Sequence, residues 1–135
     1  MNEPLGMTTP TTIKLLVVDD NDANRYALSR LLTHRGIEVT EADSGEKALQ
    51  MAESQPHVML MDIHLPDMTA YDVLALLRRK AETASLPVIL MSAIEPTANA
   101  RSMAQTLGVH SFLTLPVLLD DLWIVIQAAL QRRQS

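Results

Sequence analysis

Apolar residues in this chain alternate between short continuous runs and longer stretches at helical spacing. Runs rich in Val, Ile, Leu and Met are typical of buried strands, and apolar positions three and four residues apart predict amphipathic helices. The pattern predicts five strands, at residues 14–18, 37–41, 57–61, 87–91 and 110–114. It predicts a helix after each strand, at residues 22–34, 46–54, 69–79, 96–107 and 118–132.

Small polar residues and glycines stand where these helices should begin and end. Ser44 precedes the second helix, and Asp22 and Thr69 open the first and third, so each is a candidate N-cap. Gly36 and Gly108 follow the first and fourth helices, where a residue with positive φ commonly ends a helix. These signals support the boundaries that the apolar pattern predicts.

The strict strand–helix alternation predicts the fold class. Strands that are apolar on both faces belong to a parallel sheet covered by helices on both sides. Right-handed crossovers then give a doubly wound α/β fold, for which we expect the strand order 2-1-3-4-5. Helices one and five should cover one face, and helices two, three and four the other. We predict one domain at residues 13–132, a flexible lead at 1–12 and a tail at 133–135.

Composition narrows the class of protein further. Of the 135 residues, 47% are hydrophobic but only 3% are aromatic, so the core must be aliphatic. A net charge of -5 argues against direct binding to nucleic acid, which requires a basic face. The absence of cysteine excludes disulfides and thiolate metal sites. No apolar run approaches the roughly 20 residues of a membrane span, and the N-terminus lacks the order of a signal peptide. We therefore expect a cytoplasmic protein.

Acidic and small residues gather directly after three of the predicted strands. Asp19 and Asp20 follow strand one, Asp62 follows strand three, and Ser92 and Ala93 follow strand four. Ligands of doubly wound sheets bind at the carboxyl ends of the strands. Two unit charges about 4 Å apart in a partly buried site interact by roughly 4 kcal/mol, so grouped carboxylates need a cation or a shifted pKa. Such a site suits Mg²⁺, which could assist phosphoryl transfer onto a carboxylate. The alternative is that these aspartates only cap helices.

Four sequence strings carry a resemblance to a known family. LLVVDDND (15–22), VMLMDIHLPDM (58–68), VILMSA (88–93) and HSFLTLP (110–116) resemble the motifs of response-regulator receiver domains of two-component signalling. The resemblance extends from about residue 13 to residue 132. It implies the flavodoxin-like (βα)₅ receiver fold and a phosphoacceptor function that uses Mg²⁺.

The resemblance also assigns roles at the acidic edge. Asp62 aligns with the aspartate that accepts the phosphoryl group. Asp19 and Asp20 align with the acidic pair of the metal site, in which Asp20 is the more direct ligand. His64 aligns with the position whose backbone carbonyl completes that site. The implied metal site therefore comprises Asp19, Asp20, Asp62 and the carbonyl of His64.

Four further positions correspond to the parts of the family that respond to the phosphoryl group. Ser92 aligns with the switch hydroxyl, and Ala93 aligns with the small residue that leaves room for the phosphoryl group. Phe112 aligns with the switch aromatic on strand five. Pro116 aligns with a proline that follows a cis peptide bond in the family.

The main departure from the family pattern is at position 115. A lysine normally precedes the proline after strand five, and this chain has Leu115 there. The chain has only three lysines, Lys14, Lys47 and Lys80. The predicted fold places none of them at the end of strand five. Arg25 could replace the missing charge, or it could be a solvated helix residue. We expect phosphorylation to persist with a weakened switch.

The resemblance implies partners as well as chemistry. The phosphoryl donor would be a histidine kinase or a histidine phosphotransfer protein. The output would be a change in the surface of helix four, strand five and helix five, acting on a downstream protein or a parent hybrid kinase. We expect no enzymatic activity beyond self-catalysed phosphotransfer and autodephosphorylation. Because Leu115 replaces the lysine, an alternative is that the chain is an interaction module that acts without phosphate.

Helix five and the first loop bear on the remaining alternatives. An apolar stripe on helix five predicts core packing, while Trp123 and Ile124 lie partly off it and could form a partner surface, including a homodimer interface. A small phosphohydrolase would need a cap domain and a catalytic lysine. The chain is too short for the first, and none of its lysines is placed to be the second. Residues 19–24 contain no glycine, which excludes a dinucleotide-binding loop.

Overall fold

The alternation predicted from the sequence is present in the computed structural model, which describes residues 12–134. Its strands are β1 (Lys14–Val18), β2 (Glu38–Ala42), β3 (Val58–Asp62), β4 (Val88–Ser92) and β5 (Ser111–Thr114). Its helices are α1 (Asp22–His34), α2 (Gly45–Ala52), α3 (Ala70–Arg78), α4 (Ala98–Thr106) and α5 (Leu119–Gln134). Among these residues, no helix has the length and apolar character needed to cross a membrane.

The five strands form a single parallel sheet in the order β2-β1-β3-β4-β5. Because β1 lies between β2 and β3, its last residue Val18 is opposite both Ala42 and Met61. The loops that follow β1, β3 and β4 therefore meet at one edge of the sheet. The predicted fold class and strand order are confirmed.

Alternate side chains of the central strands pack into two separate cores. Leu16 of β1 and Met59 of β3 face α2, α3 and α4, whereas Leu15 and Val58 face α1 and α5. All four side chains are fully buried. Burying an aliphatic side chain of this size contributes about 1.5–3 kcal/mol, so the central strands anchor both layers. The predicted division of helices between the faces is confirmed.

Strands β2, β3 and β4 each begin and end one residue later than the apolar pattern predicts. The buried Ile37 is not in the β2 ladder, because its N–H donates to the carbonyl of Leu32 at the end of α1. At the other end, pairing continues into polar residues, with Asp62 opposite Met91. The apolar run marks the core, whereas the strand is defined by backbone pairing.

The N-cap of α1 is Asn21 rather than Asp22. The side-chain oxygen of Asn21 accepts a hydrogen bond from the Asn24 N–H at 2.9 Å. Asp22 is instead the first helical residue, and its carboxylate pairs with Arg25. Either residue can cap a helix, so the sequence did not distinguish them.

The structure confirms four of the predicted cap residues and corrects the end of α5. Ser44 and Thr69 cap α2 and α3, and Thr69 forms a capping box with Asp72. Gly36 and Gly108 follow α1 and α4 with positive φ. Helix α5 continues to residue 134, two residues beyond its predicted end and into the predicted tail. Of the predicted lead, residues 1–11 lie outside the described residues.

Arg78 at the end of α3 ties together two loops at the edge of the sheet opposite the aspartates. Its guanidinium donates four hydrogen bonds of 2.9–3.2 Å to backbone carbonyls of Thr83, Leu86, Leu107 and Gly108. Burial lowers the pKa of this guanidinium. Because each bond ends on a main-chain carbonyl, side-chain patterns in the sequence did not reveal the cluster.

Candidate functional site

Asp62 is the last residue of β3 and lies half-buried at the carboxyl edge of the sheet. Its Oδ1 accepts a hydrogen bond from the backbone N–H of His64 at 2.8 Å. Among the described residues, Oδ2 accepts none. Burial raises the pKa of the Asp62 carboxyl, and the charge of Asp20 raises it further, although the bond from His64 opposes both effects. One carboxylate oxygen is thus held in place by a hydrogen bond, and the other has no hydrogen-bond donor among the described residues.

Asp19 and Asp20 follow β1, which is the neighbour of β3 in the sheet. Asp19 is 4% exposed, and its Oδ1 accepts a hydrogen bond from the Asn21 N–H at 2.9 Å. Burial raises the pKa of the Asp19 carboxyl, and the charges of Asp62 and Asp20 add to this effect. Asp20 itself is exposed. The structure therefore brings the three predicted aspartates close enough for their charges to interact.

The donor set fits a hard cation that retains water. Residues 12–134 contain no group of three Asp, Glu or His side chains arranged to hold a metal ion, so a cage of three carboxylates is not present. Asp19 already uses one oxygen within its own turn. Asp20, Asp62 and the carbonyl of His64 would then be the protein ligands. Mg²⁺ is commonly held by one or two carboxylates and several waters. A cation would offset the burial and the weaker carboxylate repulsion that together raise the carboxyl pKa values.

Arg25 lies beside the acidic pair, on the side of β2. Its guanidinium donates to the backbone carbonyl of Asp19 at 2.8 Å, to Glu41 at 2.9 Å and to Asp22 at 2.7 Å. Its positive charge opposes the rise in the pKa of the Asp19 carboxyl. Because β2 is the edge strand farthest from β5, Arg25 does not occupy the place of the family lysine. It is also not the solvated helix charge that the sequence left as the alternative.

Ser92 and Ala93 lie at the end of β4, on the other side of Asp62. Ser92 is 4% exposed, and its Oγ accepts a hydrogen bond from the Ile94 N–H at 3.1 Å. Ala93 is exposed. Because β4 pairs directly with β3, Ser92 and Asp62 end neighbouring strands, as the sequence predicted.

Phe112 lies on β5 and packs on the core beneath α2, α3 and α4. The guanidinium of Arg101 from α4 lies 5.6 Å from the centre of its ring, within the range of a cation–π interaction. Glu95, in the loop before α4, binds Arg101 and accepts a hydrogen bond from Thr114 at 3.0 Å. The sequence did not predict this network, which connects the β4–α4 loop to α4 and β5.

Leu115 directly follows β5 and continues its pairing with β4. Its N–H donates to the Ser92 carbonyl at 2.7 Å, and the Leu115–Pro116 peptide bond is cis. The side chain of Leu115 is partly buried and packs on the core beneath α1 and α5. Two of the lysines are paired elsewhere, Lys47 with Asp43 and Lys80 with Glu53, and Lys14 begins β1 at the opposite edge. No lysine therefore replaces the missing charge.

The three cavities described for this structure do not include the acidic edge. Three cavities of about 380, 320 and 200 Å³ are lined by residues away from these aspartates. The first lies at the amino ends of β4 and β5, next to Arg78.

Comparisons with known proteins agree with this geometry. The family model described as the response regulator receiver domain matches residues 15–127. The rice protein two-component response regulator ORR3 is 36% identical over 110 residues, covering 79% of this chain and 82% of that protein. Protein PilH of Pseudomonas aeruginosa is 30% identical over 118 residues, covering 87% and 97%. The chain spans 56% of the length of another rice regulator, ORR7.

Solved structures show the same fold. A response regulator receiver domain protein of Clostridium thermocellum superposes with a TM-score of 0.82 at 26% identity, covering 90% of this chain and 97% of that one. The chemotaxis protein CheY4 of Vibrio cholerae gives 0.82 at 24% identity, covering 88% and 99%. A doubly wound sheet with aspartates grouped at its carboxyl edge is typical of signalling receivers. The chain belongs to the response regulator receiver domain family of two-component signalling.

Proposed function

We propose that this receiver domain accepts one phosphoryl group on Asp62 from a phosphohistidine donor, either a histidine kinase or a histidine phosphotransfer protein. The observation that carries the proposal is the state of the Asp62 carboxylate. One oxygen is fixed by the His64 N–H, the other accepts no hydrogen bond from the described residues, and Asp19 and Asp20 lie close enough for their charges to act on it. This arrangement is suited to nucleophilic attack assisted by a divalent cation.

The proposed transfer uses each of these groups. Oδ2 of Asp62 attacks phosphorus, the bond from phosphorus to the donor's imidazole nitrogen breaks, and the imidazole leaves with the electron pair. Mg²⁺ bound by Asp20, Asp62 and the His64 carbonyl would neutralise charge on the phosphoryl oxygens. The Ser92 hydroxyl would donate a hydrogen bond to one of these oxygens, and Ala93 would leave room for them. Hydrolysis of the acyl phosphate would be self-catalysed, so we propose no other enzymatic activity.

The proposed output surface comprises α4, β5 and α5. Among the described side chains, Met103 on α4 is 43% exposed and Ile124 on α5 is 62% exposed, and Leu118 just before α5 is 74% exposed. Trp123 is partly buried beneath the guanidinium of Arg35, so Ile124 is the more accessible of the two residues that the sequence singled out. The partner would be a downstream protein, a parent hybrid kinase or a second copy of the chain. We propose that the protein works in the cytoplasm.

The proposal is tested with acetyl phosphate and intact-mass measurement. The wild-type protein is expected to gain the mass of one phosphoryl group with Mg²⁺ and to gain none when EDTA replaces the metal. Asp20→Ala is expected to remove the weak Mg²⁺ binding of the unphosphorylated protein, measured by titration. A folded protein that stays unmodified with several donors would overturn the proposal, and an unchanged titration would place the ion elsewhere.

One observation favours a second function, that of a receiver-like module that binds its partner without phosphate. The position normally held by a lysine carries an apolar side chain packed in the core. Without that ammonium, the arrival of a phosphoryl group forms fewer new contacts. A ligand shifts a conformational equilibrium only by its differential contacts with the two states. A partner that binds Asp62→Asn and phosphorylated wild type equally well would support this second function.

Leu115→Lys tests whether the absence of the lysine weakens the response to phosphorylation. The introduced ammonium can form a charge-assisted bond to the phosphoryl group, while its aliphatic stem keeps some contact with the core. Phosphorylation-dependent chemical-shift changes in α4, β5 and α5 are expected to be larger than in wild type. Leu115→Met, which keeps apolar packing without a charge, is the matched control. Equal changes in all three proteins would show that position 115 does not limit the switch.

A further inference from the structure

Helix α2 is capped by a carboxylate from a distant loop. Oδ1 of Asp67, in the loop between β3 and α3, accepts a hydrogen bond from the Gly45 N–H at 2.8 Å. Oδ2 accepts one from the Glu46 N–H at 2.9 Å. These are the first two residues of the helix, whose N–H groups have no partner within it. The bidentate contact therefore connects α2 to the loop that follows Asp62.

The contact completes the hydrogen bonding at the start of α2. Ser44 Oγ accepts from the Lys47 N–H at 3.2 Å, and the Ala48 N–H bonds to the Ser44 carbonyl. Ser44 is thus the local cap, and Asp67 serves the two N–H groups that Ser44 does not reach. The bonds from α2 lower the pKa of the Asp67 carboxyl, in keeping with an anion at a helix N-terminus.

Close packing reinforces the same connection. A Cβ atom added to Gly45 would overlap Cγ of Met68 and lie 3.1 Å from a methyl group of Val73. The helix can approach the loop this closely only because residue 45 has no side chain. Asp67 and Met68 therefore hold the tip of the loop against the first turn of α2.

The base of the loop is fixed at Asp62 itself. The His64 N–H donates to Asp62, and a β-bridge between His64 and Thr69 closes the loop. The Ala70 N–H donates to the Ile63 carbonyl at 3.1 Å. His64, which carries the carbonyl, thus lies at a base tied to the acceptor, and the loop runs from it to a tip tied to α2.

We propose that Asp67 is a positioning residue for the metal site: by fixing the tip of the β3–α3 loop on α2, it keeps the backbone of His64 in the place that cation binding requires. The inference rests on the proposed function, because it assigns to this loop the carbonyl ligand of the Mg²⁺ site. Asp67 does not touch the ion. It acts through the backbone, as groups that orient metal ligands commonly do.

The test compares Asp67→Ala with Ser44→Ala. Both variants remove cap bonds from the same helix turn, but only Asp67→Ala detaches the loop. Calorimetric titration with Mg²⁺ is expected to show affinity about tenfold weaker in Asp67→Ala, which is the lower end of the loss typical for groups that orient metal ligands. Ser44→Ala is expected to match wild type. Amide hydrogen exchange at His64 and Met68 is expected to accelerate in Asp67→Ala alone.

Each outcome separates this inference from the function on which it rests. Wild-type affinity in Asp67→Ala, with Mg²⁺ binding by the wild-type protein intact, overturns the positioning role and leaves the proposed function standing. Equal weakening in Ser44→Ala also overturns it, because the effect would then come from helix stability. Absence of Mg²⁺ binding in the wild-type protein overturns both. Asp67→Asn, which keeps the shape but loses one acceptor, is expected to have an intermediate affinity.

Discussion

Asp62→Asn is expected to abolish the phosphoryl mass gain that wild type shows with acetyl phosphate and Mg²⁺. The amide has nearly the same shape as the carboxylate, but it is not a nucleophile and cannot form the acyl phosphate. The residual extent of modification should lie below the detection limit of intact-mass measurement. Asp43→Asn, an exposed carboxylate just beyond β2 on the same sheet edge, is the matched control and should react like wild type. Equal modification of Asp62→Asn would place the acceptor at another residue.

The stability of the same variant provides an independent check. Burial, with a contribution from Asp20, raises the pKa of the Asp62 carboxyl in the folded protein above its ordinary value of 3.8. The folded state then holds the proton more tightly than the unfolded state, so ionisation costs stability as pH rises through the window between the two pKa values. The neutral amide of the Asp62→Asn variant carries no such cost, and this variant is therefore expected to be more stable than wild type at neutral pH without Mg²⁺. The difference should shrink as pH falls to 3.8, and a difference that does not vary with pH would contradict this account.

Arg78→Met is expected to lower the free energy of unfolding by about 3 kcal/mol. Hydrogen bonds to charged groups contribute about 1.5–3 kcal/mol each, and a buried polar group left without a partner costs about 1–3 kcal/mol. Four carbonyls lose a hydrogen bond in this variant. The losses do not add fully, since the Thr83 carbonyl still accepts from the Leu86 N–H and water reaches some of the others. Urea denaturation followed by circular dichroism measures the change.

Arg79→Met is the matched control, because Arg79 is the next residue along the chain and is exposed. Its loss should change stability by less than about 0.5 kcal/mol, as is usual for surface positions. Arg78→Lys should recover little, since a single ammonium cannot donate to four carbonyls in the fork geometry of a guanidinium. Similar stability of the Arg78 and Arg79 variants would show that the cluster does not stabilise the fold.

The fold could be predicted from the sequence because its signals are local. The runs around Leu16, Met59 and Leu90 are apolar at successive positions. Short runs of this kind are typical of strands that are buried on both faces. The bounds of β1 were predicted correctly, whereas those of β3 and β4 were misplaced by one residue because the pattern records burial rather than pairing. Asp62 and Ser92 are polar yet belong to the ladder.

The aspartates of the site could also be predicted, because each directly follows a strand. Once the strands are known to be parallel, their carboxyl ends must share one edge. The departure at Leu115 was likewise visible in the chain. Its packing was not, since an apolar residue after a strand can face either core, and only the structure places it beneath α1 and α5.

The sequence by itself determined the class of fold, the edge at which Asp19, Asp20 and Asp62 meet and the missing lysine, because these depend on periodicity and on residue type at strand ends. Only the tertiary structure decided the partners of Arg25, Asp67, Arg78 and Glu95. Asp67 meets residues 21 and 22 positions away along the chain, and Arg78 reaches carbonyls up to 30 positions away. Most of these contacts end on backbone groups, which every residue carries. No pattern of side chains could therefore identify those backbone contacts before the chain was folded.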